Sequence, residues 1–278
     1  MPSVFSSALP GVTGLSAPRW RLRLRHPLAL GLFSVALLWL IWQIIAGSGW
    51  IDPLFLPAPQ AVLAKLVLAA SQGFMDATLW QHLAASLSRI GLALLAAVAV
   101  GVPLGLAMGV SPVLRGLLDP LIEGYRPVPP LAYLPLIVIW CGIGELSKVL
   151  LIFLAMLAPI VLSATHGVTR VSPSRLRAAQ SLGASRRQLL WRVVLPTALP
   201  DILTGLRIGL GAGWSTLVAA ELVAATRGLG FMVQSAAQFL VTDMVLAGIV
   251  VIGGIAFVLE LGLRALQQRL CPWHGQQD

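Results

Sequence analysis

The stretch VSPSRLRAAQSLGASRRQLLWRVVLPTALPDILTGLR, residues 171–207, is a basic segment set between two strongly apolar regions of the chain. Serine is a favoured helix N-cap, and proline is a favoured first helical residue. Ser172 and Pro173 therefore begin a predicted helix that ends near Leu182. Leucine and alanine share one face of this helix with arginines on the other, so it is amphipathic and too short to cross a membrane.

A second short helix follows in the same segment. Gly183 interrupts the first helix, Ser185 can cap the second, and Pro196 is expected to end it after Val194. The segment is too long for a plain connection between two spans. The residues alone leave two interpretations open. The segment either lies on the inner leaflet with its arginines on lipid phosphates, or docks into a groove of a soluble partner.

The composition places the rest of the chain in a membrane. Of the 278 residues, 58% are hydrophobic and only 10% are charged, whereas a soluble domain holds about 25% charged residues. Because so few charges could not cover so much apolar surface, the solvent must be lipid. A spanning helix needs about 20 apolar residues, so the chain has room for about five to seven spans.

Six spans are predicted, and they form one all-α transmembrane domain over residues 27–270. The spans cover residues 28–46, 82–108, 114–141, 147–166, 199–225 and 244–266. The third contains a cluster of prolines, and such irregular backbone is tolerated in a membrane where it lines a cavity. Residues 60–70 are predicted to form an amphipathic helix at the outer surface, and residues 228–240 a short re-entrant or interfacial segment.

The basic residues predict the orientation. The net charge is +9, and 13 arginines fall on one side of the six spans, which the positive-inside rule identifies as the cytoplasm. Both termini are therefore expected inside, as a cytoplasmic arm (1–26) and a short cytoplasmic tail (271–278). Because these arginines flank spans, they indicate contact with membrane lipid and argue against a nucleic-acid partner.

The sequence carries no motif for chemistry. It has no Gly-x4-Gly-Lys-Ser/Thr phosphate loop, no HExxH, no Cys/His cluster at metal spacing and no GxSxG. We therefore expect no catalytic, cofactor-binding or metal-binding residues in this chain.

Ionisable residues inside the spans are functional candidates, because burying a charge in a bilayer is costly unless it is paired. These residues are Arg89, Asp119, Glu123, Arg126, Arg207 and Glu221. Asp119, Glu123 and Arg126 share one helical face. They either form a local ion-pair ladder or place Arg126 at a cytoplasmic gate of the translocation pathway, beside Pro129 and Pro130.

The fifth span carries a second group of pathway candidates. They are Trp214, Ser215, Thr216 and Glu221. Ser215 or Thr216 either lines the pathway or makes hydrogen bonds between helices. Glu221 is expected to be paired near the outer end, by a partner that the sequence does not identify.

Residues 171–196, here named the coupling segment, resemble the cytoplasmic coupling motif of bacterial ABC importer permeases. That motif reads Glu-Ala-Ala, three residues, Gly, and then an apolar run to Leu-Pro. The matching residues are Ala178, Ala179, Gly183, Leu195 and Pro196. Arg177 stands at the glutamate position, which reverses the charge there. The residues that the resemblance assigns to ATPase coupling are Arg175, Arg177, Ala178, Ala179, Gly183, Ala184, Ser185, Leu195 and Pro196.

Other stretches resemble the nitrate/sulfonate/taurine branch of these permeases. They are residues 56–66, 125–149, 195–222 and 225–236. Residues 72–94, 176–185 and 266–275 are most similar to the taurine-transporting members of that branch.

The resemblance implies a type I (MetI-like) importer permease with six transmembrane helices, multi-pass in the bacterial inner membrane. It also implies a second copy of the chain, two copies of a cytoplasmic ABC ATPase that binds ATP and Mg²⁺, and a periplasmic taurine-binding protein. Other alkanesulfonates or nitrate-like anions are alternative cargoes.

An ion-coupled secondary transporter is the alternative from another class. It would require carboxylates at a midplane site and usually internal repeats, and neither is clear in the sequence.

Overall fold

The computed structural model describes residues 27–273, and every regular element in that range is a helix. The prediction of an all-α protein is confirmed. The α-helices in chain order are α1 (Pro27–Gly47), α2 (Pro59–Ser71), α3 (Leu79–Val110), α4 (Pro112–Tyr125), α5 (Leu134–Cys141), α6 (Glu145–Thr169), α7 (Pro173–Ser181), α8 (Arg186–Leu189), α9 (Leu195–Ala224), α10 (Leu229–Gln238) and α11 (Thr242–Leu270).

Five helices of the described chain are long and apolar enough to cross a membrane: α1, α3, α6, α11 and a helix that contains α9. The predicted third span, residues 114–141, is instead divided into α4 and α5 by a 3-10 turn (Pro130–Tyr133). Pro127, Pro129 and Pro130 explain the division, because proline lacks the N–H that a continuous helix needs.

Helices α4 and α5 lie at different levels along α6. Ile122 of α4 packs with Val161 of α6, whereas Leu134 of α5 packs with Leu151 of α6, more than two turns away. The two short helices therefore run antiparallel along α6, in two pieces, where the sequence predicts a single third span. The end of the bundle near Glu145, predicted to face outward, is called the outer end, and the opposite end is called the inner end.

Helix α6 is the centre of the bundle, with α3 on one side and α9 on the other. Small residues permit the close packing. A Cβ on Gly105 of α3 would lie 2.5 Å from the carbonyl oxygen of Val161, and one on Gly209 of α9 would lie 3.3 Å from the carbonyl oxygen of Met156. The backbones of all three helices are therefore in near contact, which leaves little room for adjustment inside this layer.

The remaining helices surround this layer. Helix α2 packs on α11, where Lys65 Nζ lies 3.6 Å from Asp243 Oδ2. Helix α10 inserts Leu229 into the core beside α9 and α11. Helix α1 stands apart, since no residue of its apolar span is buried, and Trp42 Nε1 joins it to the next loop by donating to the Pro57 carbonyl at 3.2 Å.

The predicted cytoplasmic arm, residues 1–26, lies outside the described residues. Residues 274–278 of the predicted tail do so as well.

Candidate functional site

The coupling segment begins with the predicted helix, α7. The Ser172 hydroxyl accepts the Arg175 N–H at 3.3 Å, so the predicted N-cap is present. The chain turns at Gly183, whose φ of +79° lies in the left-handed region that glycine adopts without strain. Ser185 then caps α8 in the same way as Ser172 caps α7.

The prediction that Pro196 ends the second helix is wrong. Helix α8 continues through a π turn (Leu190–Val194) into α9, so the helix is continuous from Arg186 into the fifth span. In the π turn the Leu195 N–H donates to the Leu190 carbonyl, five residues back. This turn widens the helix just before Pro196 and accommodates a residue that has no N–H to donate.

One side of the coupling segment is held by the bundle, and the other is free. Leu176 and Val193 pack in a cluster with Val168 and Val171 at the inner end of α6. Leu182, at the turn between α7 and α8, is 88% exposed. The segment is thus fixed to the inner end of the bundle while it presents a large apolar side chain outward.

The predicted coupling residues lie on the free side of the segment or at its base. The exposed ones are Arg175, Arg177, Ala178, Gly183 and Ser185, and the half-buried ones are Ala179, Ala184, Leu195 and Pro196. Among residues 27–273, neither Arg175 nor Arg177 has an acidic ion-pair partner. Their role in docking stays a prediction.

A cluster of charges closes the outer end of the bundle. Arg89 of α3 is 4% exposed and donates from Nε and Nη2 to Glu145 of α6 at 2.6 and 2.8 Å. Its Nη1 donates to Glu221 of α9 at 2.7 Å, and Lys148 Nζ lies 2.7 Å from Glu145. Every member is paired, as burial of charge requires, and one guanidinium joins the three central helices.

The Glu221 carboxylate rests against the turn before α10. It accepts the Gly230 N–H at 2.9 Å and the Ser86 hydroxyl at 2.8 Å. Gly228 in the same turn has a φ of +138°, and a Cβ there would lie 2.5 Å from both carboxylate oxygens. Glycine is therefore required for the chain to pass this close to Glu221.

The sequence identifies Arg89 and Glu221 only as separate ionisable residues, and it places Glu145 in an outer loop. Their association is what sequence reasoning missed. The available signal was their position across the membrane. Arg89, Glu145 and Glu221 all lie at or beside the outer ends of predicted spans, and opposite charges at the same level can neutralise each other. The described residues, 27–273, bring together no group of three His, Cys, Asp or Glu that could hold a metal ion.

The predicted pathway residues divide by burial. Arg126, Pro129 and Ser215 are exposed, and Pro130 is half-buried. Trp214, Thr216 and Glu221 are buried within the chain. Thr216 donates its hydroxyl to the Ala212 carbonyl at 2.9 Å within α9, so it makes no hydrogen bond to another helix through this group. The assignment of these residues to a pathway stays a prediction.

Residues 101–271 match a family described as the binding-protein-dependent transport system inner membrane component. The matched range includes the coupling segment, α6 and α9, which contain most of the residues discussed above.

Two relatives align over almost the whole chain. The taurine transport system permease protein TauC of Escherichia coli (strain K12) is 68% identical over 259 residues, which are 93% of this chain and 94% of that protein. The putative aliphatic sulfonates transport permease protein SsuC of Bacillus subtilis (strain 168) is 33% identical over 92% of this chain and 91% of that protein.

A solved structure of the MetNI methionine ABC transporter in inward-facing conformations has the same fold. The TM-score is 0.60 at 16% sequence identity, and the alignment covers 67% of this chain and 93% of that chain. The predicted type I (MetI-like) permease fold is confirmed.

Replacing Arg89 with glutamine should destabilise the bundle, because it leaves the buried Glu221 without its cation, whereas Glu145 is largely exposed and keeps Lys148. We expect a loss of about 3–5 kcal/mol, measured as a lower Tm of the detergent-purified protein. Lys65→Gln is the matched control, because its partly exposed ion pair with Asp243 should contribute less than about 1 kcal/mol. Similar Tm shifts for the two variants would contradict the central role of Arg89.

Proposed function

Since the chain belongs to the family of binding-protein-dependent transport system inner membrane components, we propose that it carries taurine inward as the permease subunit of an ATP-driven importer. The 68% identity with the E. coli taurine permease over nearly the full length of both chains supports this substrate. A permease subunit provides the path of the substrate through the membrane and does not itself catalyse a reaction. ATP hydrolysis takes place on a separate subunit.

The coupling segment is the proposed docking site for that ATPase, with one ATPase copy on each of two permease chains and with ATP and Mg²⁺ bound by the ATPase. Leu176 and Val193 hold the segment against the bundle, and α8 is continuous with α9. A docked ATPase would therefore move a rigid part of the permease, which efficient coupling requires. Leu182 is the apolar side chain that we place in the partner's groove.

The charge of the coupling segment predicts the charge of the ATPase surface that would bind it. Residues 171–196 contain five arginines and no acidic residue, and Arg177 stands where a glutamate occurs in the family motif. Complementary charge favours the encounter and the register of a docked helix. We therefore expect the ATPase groove around Arg177 to be acidic.

The pathway is assigned to the face of α4 that carries Glu123 and Arg126. Tyr125 donates its hydroxyl to the Leu154 carbonyl at 3.1 Å, and Leu154 lies inside the 25-residue helix α6, so both charges lie beside α6 between its two ends. Both are exposed in the single chain. Because charge at this depth is costly in lipid, this face must contact water or protein, which supports a pathway between two copies of the chain.

Ser215 of α9 belongs to the same proposed pathway. A Cβ on the neighbouring Gly213 would meet the Met156 side chain, so Ser215 lies at a depth similar to that of Leu154 and Arg126. Its exposed hydroxyl donates to the Gly211 carbonyl at 3.2 Å and would turn from it to donate to a sulfonate oxygen, whereas Arg126 can neutralise the charge. Trp214, Thr216 and Glu221 are assigned to the packing of the bundle.

In the proposed orientation the arm 1–26, the coupling segment and the tail 271–278 are cytoplasmic, and the domain 27–270 spans the bacterial inner membrane. A periplasmic binding protein then delivers taurine at the outer end, near Glu145. Because the walls of the spans are mostly apolar, we assign substrate selection mainly to that binding protein.

Another alkanesulfonate is the second candidate cargo. The 33% identity with the B. subtilis aliphatic sulfonates permease favours it, since the charged group to be conducted is the same.

Leu182→Ser should weaken ATPase binding while leaving the bundle folded, because Leu182 is almost free of contacts with its own chain. We expect association with the ATPase to fall about tenfold to a hundredfold, measured by co-purification and titration in mild detergent. Val113→Ser is the control, because Val113 is a similarly exposed apolar residue, 83% exposed, outside the coupling segment. Normal association of Leu182→Ser would refute the docking role.

Arg126→Gln should lower taurine uptake about tenfold, the effect of losing one charge-assisted hydrogen bond. ATPase association should stay unchanged, and Arg126→Lys should keep much of the uptake because it keeps the charge. The measurement is uptake of labelled taurine into liposomes that contain the complete transporter. Arg269→Gln removes a charge elsewhere and serves as control. Normal uptake by Arg126→Gln would remove Arg126 from the pathway.

Taurine-loaded binding protein should stimulate ATP hydrolysis by the liposome-embedded permease–ATPase complex, because ligand delivery is coupled to the catalytic cycle. The measurement compares ATPase rates with binding proteins loaded with taurine, another alkanesulfonate or nitrate. Stimulation by one of the other two and not by taurine would overturn the substrate. Uptake driven by an ion gradient without the ATPase would overturn the transporter class.

A further inference from the structure

An apolar groove with a volume of about 860 Å³ opens at the inner end of the bundle, between the end of α3 and the coupling segment. Its walls include Leu106, Val110, Leu176 and Leu190, and Arg186 and Arg187 also line it. We propose that this inner groove binds an anionic phospholipid of the inner leaflet, with an acyl chain along the apolar walls and the phosphate at the two arginines.

The apolar walls suit an acyl chain. The α3 wall runs from Pro103 to Val110, which is about 10 Å at 1.5 Å per residue. Val171 and Val194, both buried, close the groove on the side of the bundle. A chain of methylene groups would therefore have apolar contact along the helix and behind it, and burying it there is favourable.

The two arginines suit a phosphate. Both are exposed, and within residues 27–273 neither makes an ion pair with an acidic side chain. They begin α8, immediately after the turn at Gly183, so they lie at the level where the spans give way to the coupling segment. In the proposed orientation, on which this inference rests, that level corresponds to the inner-leaflet headgroups, and guanidinium groups bind phosphate oxygens strongly.

Charge argues against the N-terminal arm as occupant of the groove, and position argues against the ATPase. The N-terminal arm carries Arg19, Arg21, Arg23 and Arg25, which would be repelled by Arg186 and Arg187. An ATPase docked as proposed would meet the exposed Leu182 turn first, whereas the inner groove lies between the coupling segment and α3. A bound lipid would add contacts between α3 and the coupling segment to the cluster that Leu106 already shares with Leu176 and Leu190.

The test measures lipid binding to the detergent-purified full chain by native mass spectrometry, with phosphatidylglycerol and phosphatidylcholine of identical acyl chains. We expect the wild type to prefer phosphatidylglycerol by about twentyfold, since each arginine near an anionic headgroup contributes a factor of about five. Arg186→Gln with Arg187→Gln should reduce the preference to about twofold or less. Val110→Trp, which fills the groove, should weaken binding of both lipids.

The matched control is Arg192→Gln with Arg269→Gln, which removes the same charge from exposed positions outside the groove and should keep the preference. Inorganic phosphate and glycerol 3-phosphate should not displace the lipid, because they lack the acyl chain. An unchanged preference in the Arg186/Arg187 variant, or equal losses in the control, would overturn the proposal. Displacement of the lipid by an added peptide of residues 1–26 or by the ATPase would also overturn it, because the groove would then belong to that partner.

Discussion

The contact on which the bundle depends is the pairing of Arg89 with Glu145 and Glu221 at the outer end. Helices in lipid gain little from hydrophobic burial against one another, because acyl chains are as apolar as leucine. The Arg89–Glu221 pair is different, because both side chains are buried and any separation leaves a charge without compensation. The three central helices are therefore held most firmly at the outer end of the bundle.

Close backbone packing complements that contact along the rest of the bundle. Gly105 faces α6 from one side and Gly205 and Gly209 face it from the other, so helix α6 touches main chain on both sides. The spacing of four in α3 makes such a stripe visible in the sequence, but it cannot say which helix will occupy it. That choice depends on tertiary packing, which a periodic pattern does not encode.

The sequence predicts the elements better than it predicts how they join. The caps at Ser172 and Ser185 and the turn at Gly183 are local features and were correctly predicted. The prediction that Pro196 ends a helix is wrong, because the effect of this proline depends on the π turn before it. Propensity rules do not anticipate such a departure from regular geometry. The partners of Glu221 come from positions 132 and 135 residues away in the chain, beyond the reach of any local pattern.

The π turn has a further mechanical consequence. Because the helix does not stop at Pro196, 38 residues from Arg186 to Val223 form one continuous helix, about 57 Å along its axis at 1.5 Å per residue. Its inner end belongs to the coupling segment, and its outer end carries Glu221. A tilt of about 5° around the inner end would displace the outer end by about 5 Å, the height of nearly one helical turn. A tilt imposed at the proposed docking site would thus be felt at the Arg89–Glu221 ion pair, at the far end of this helix.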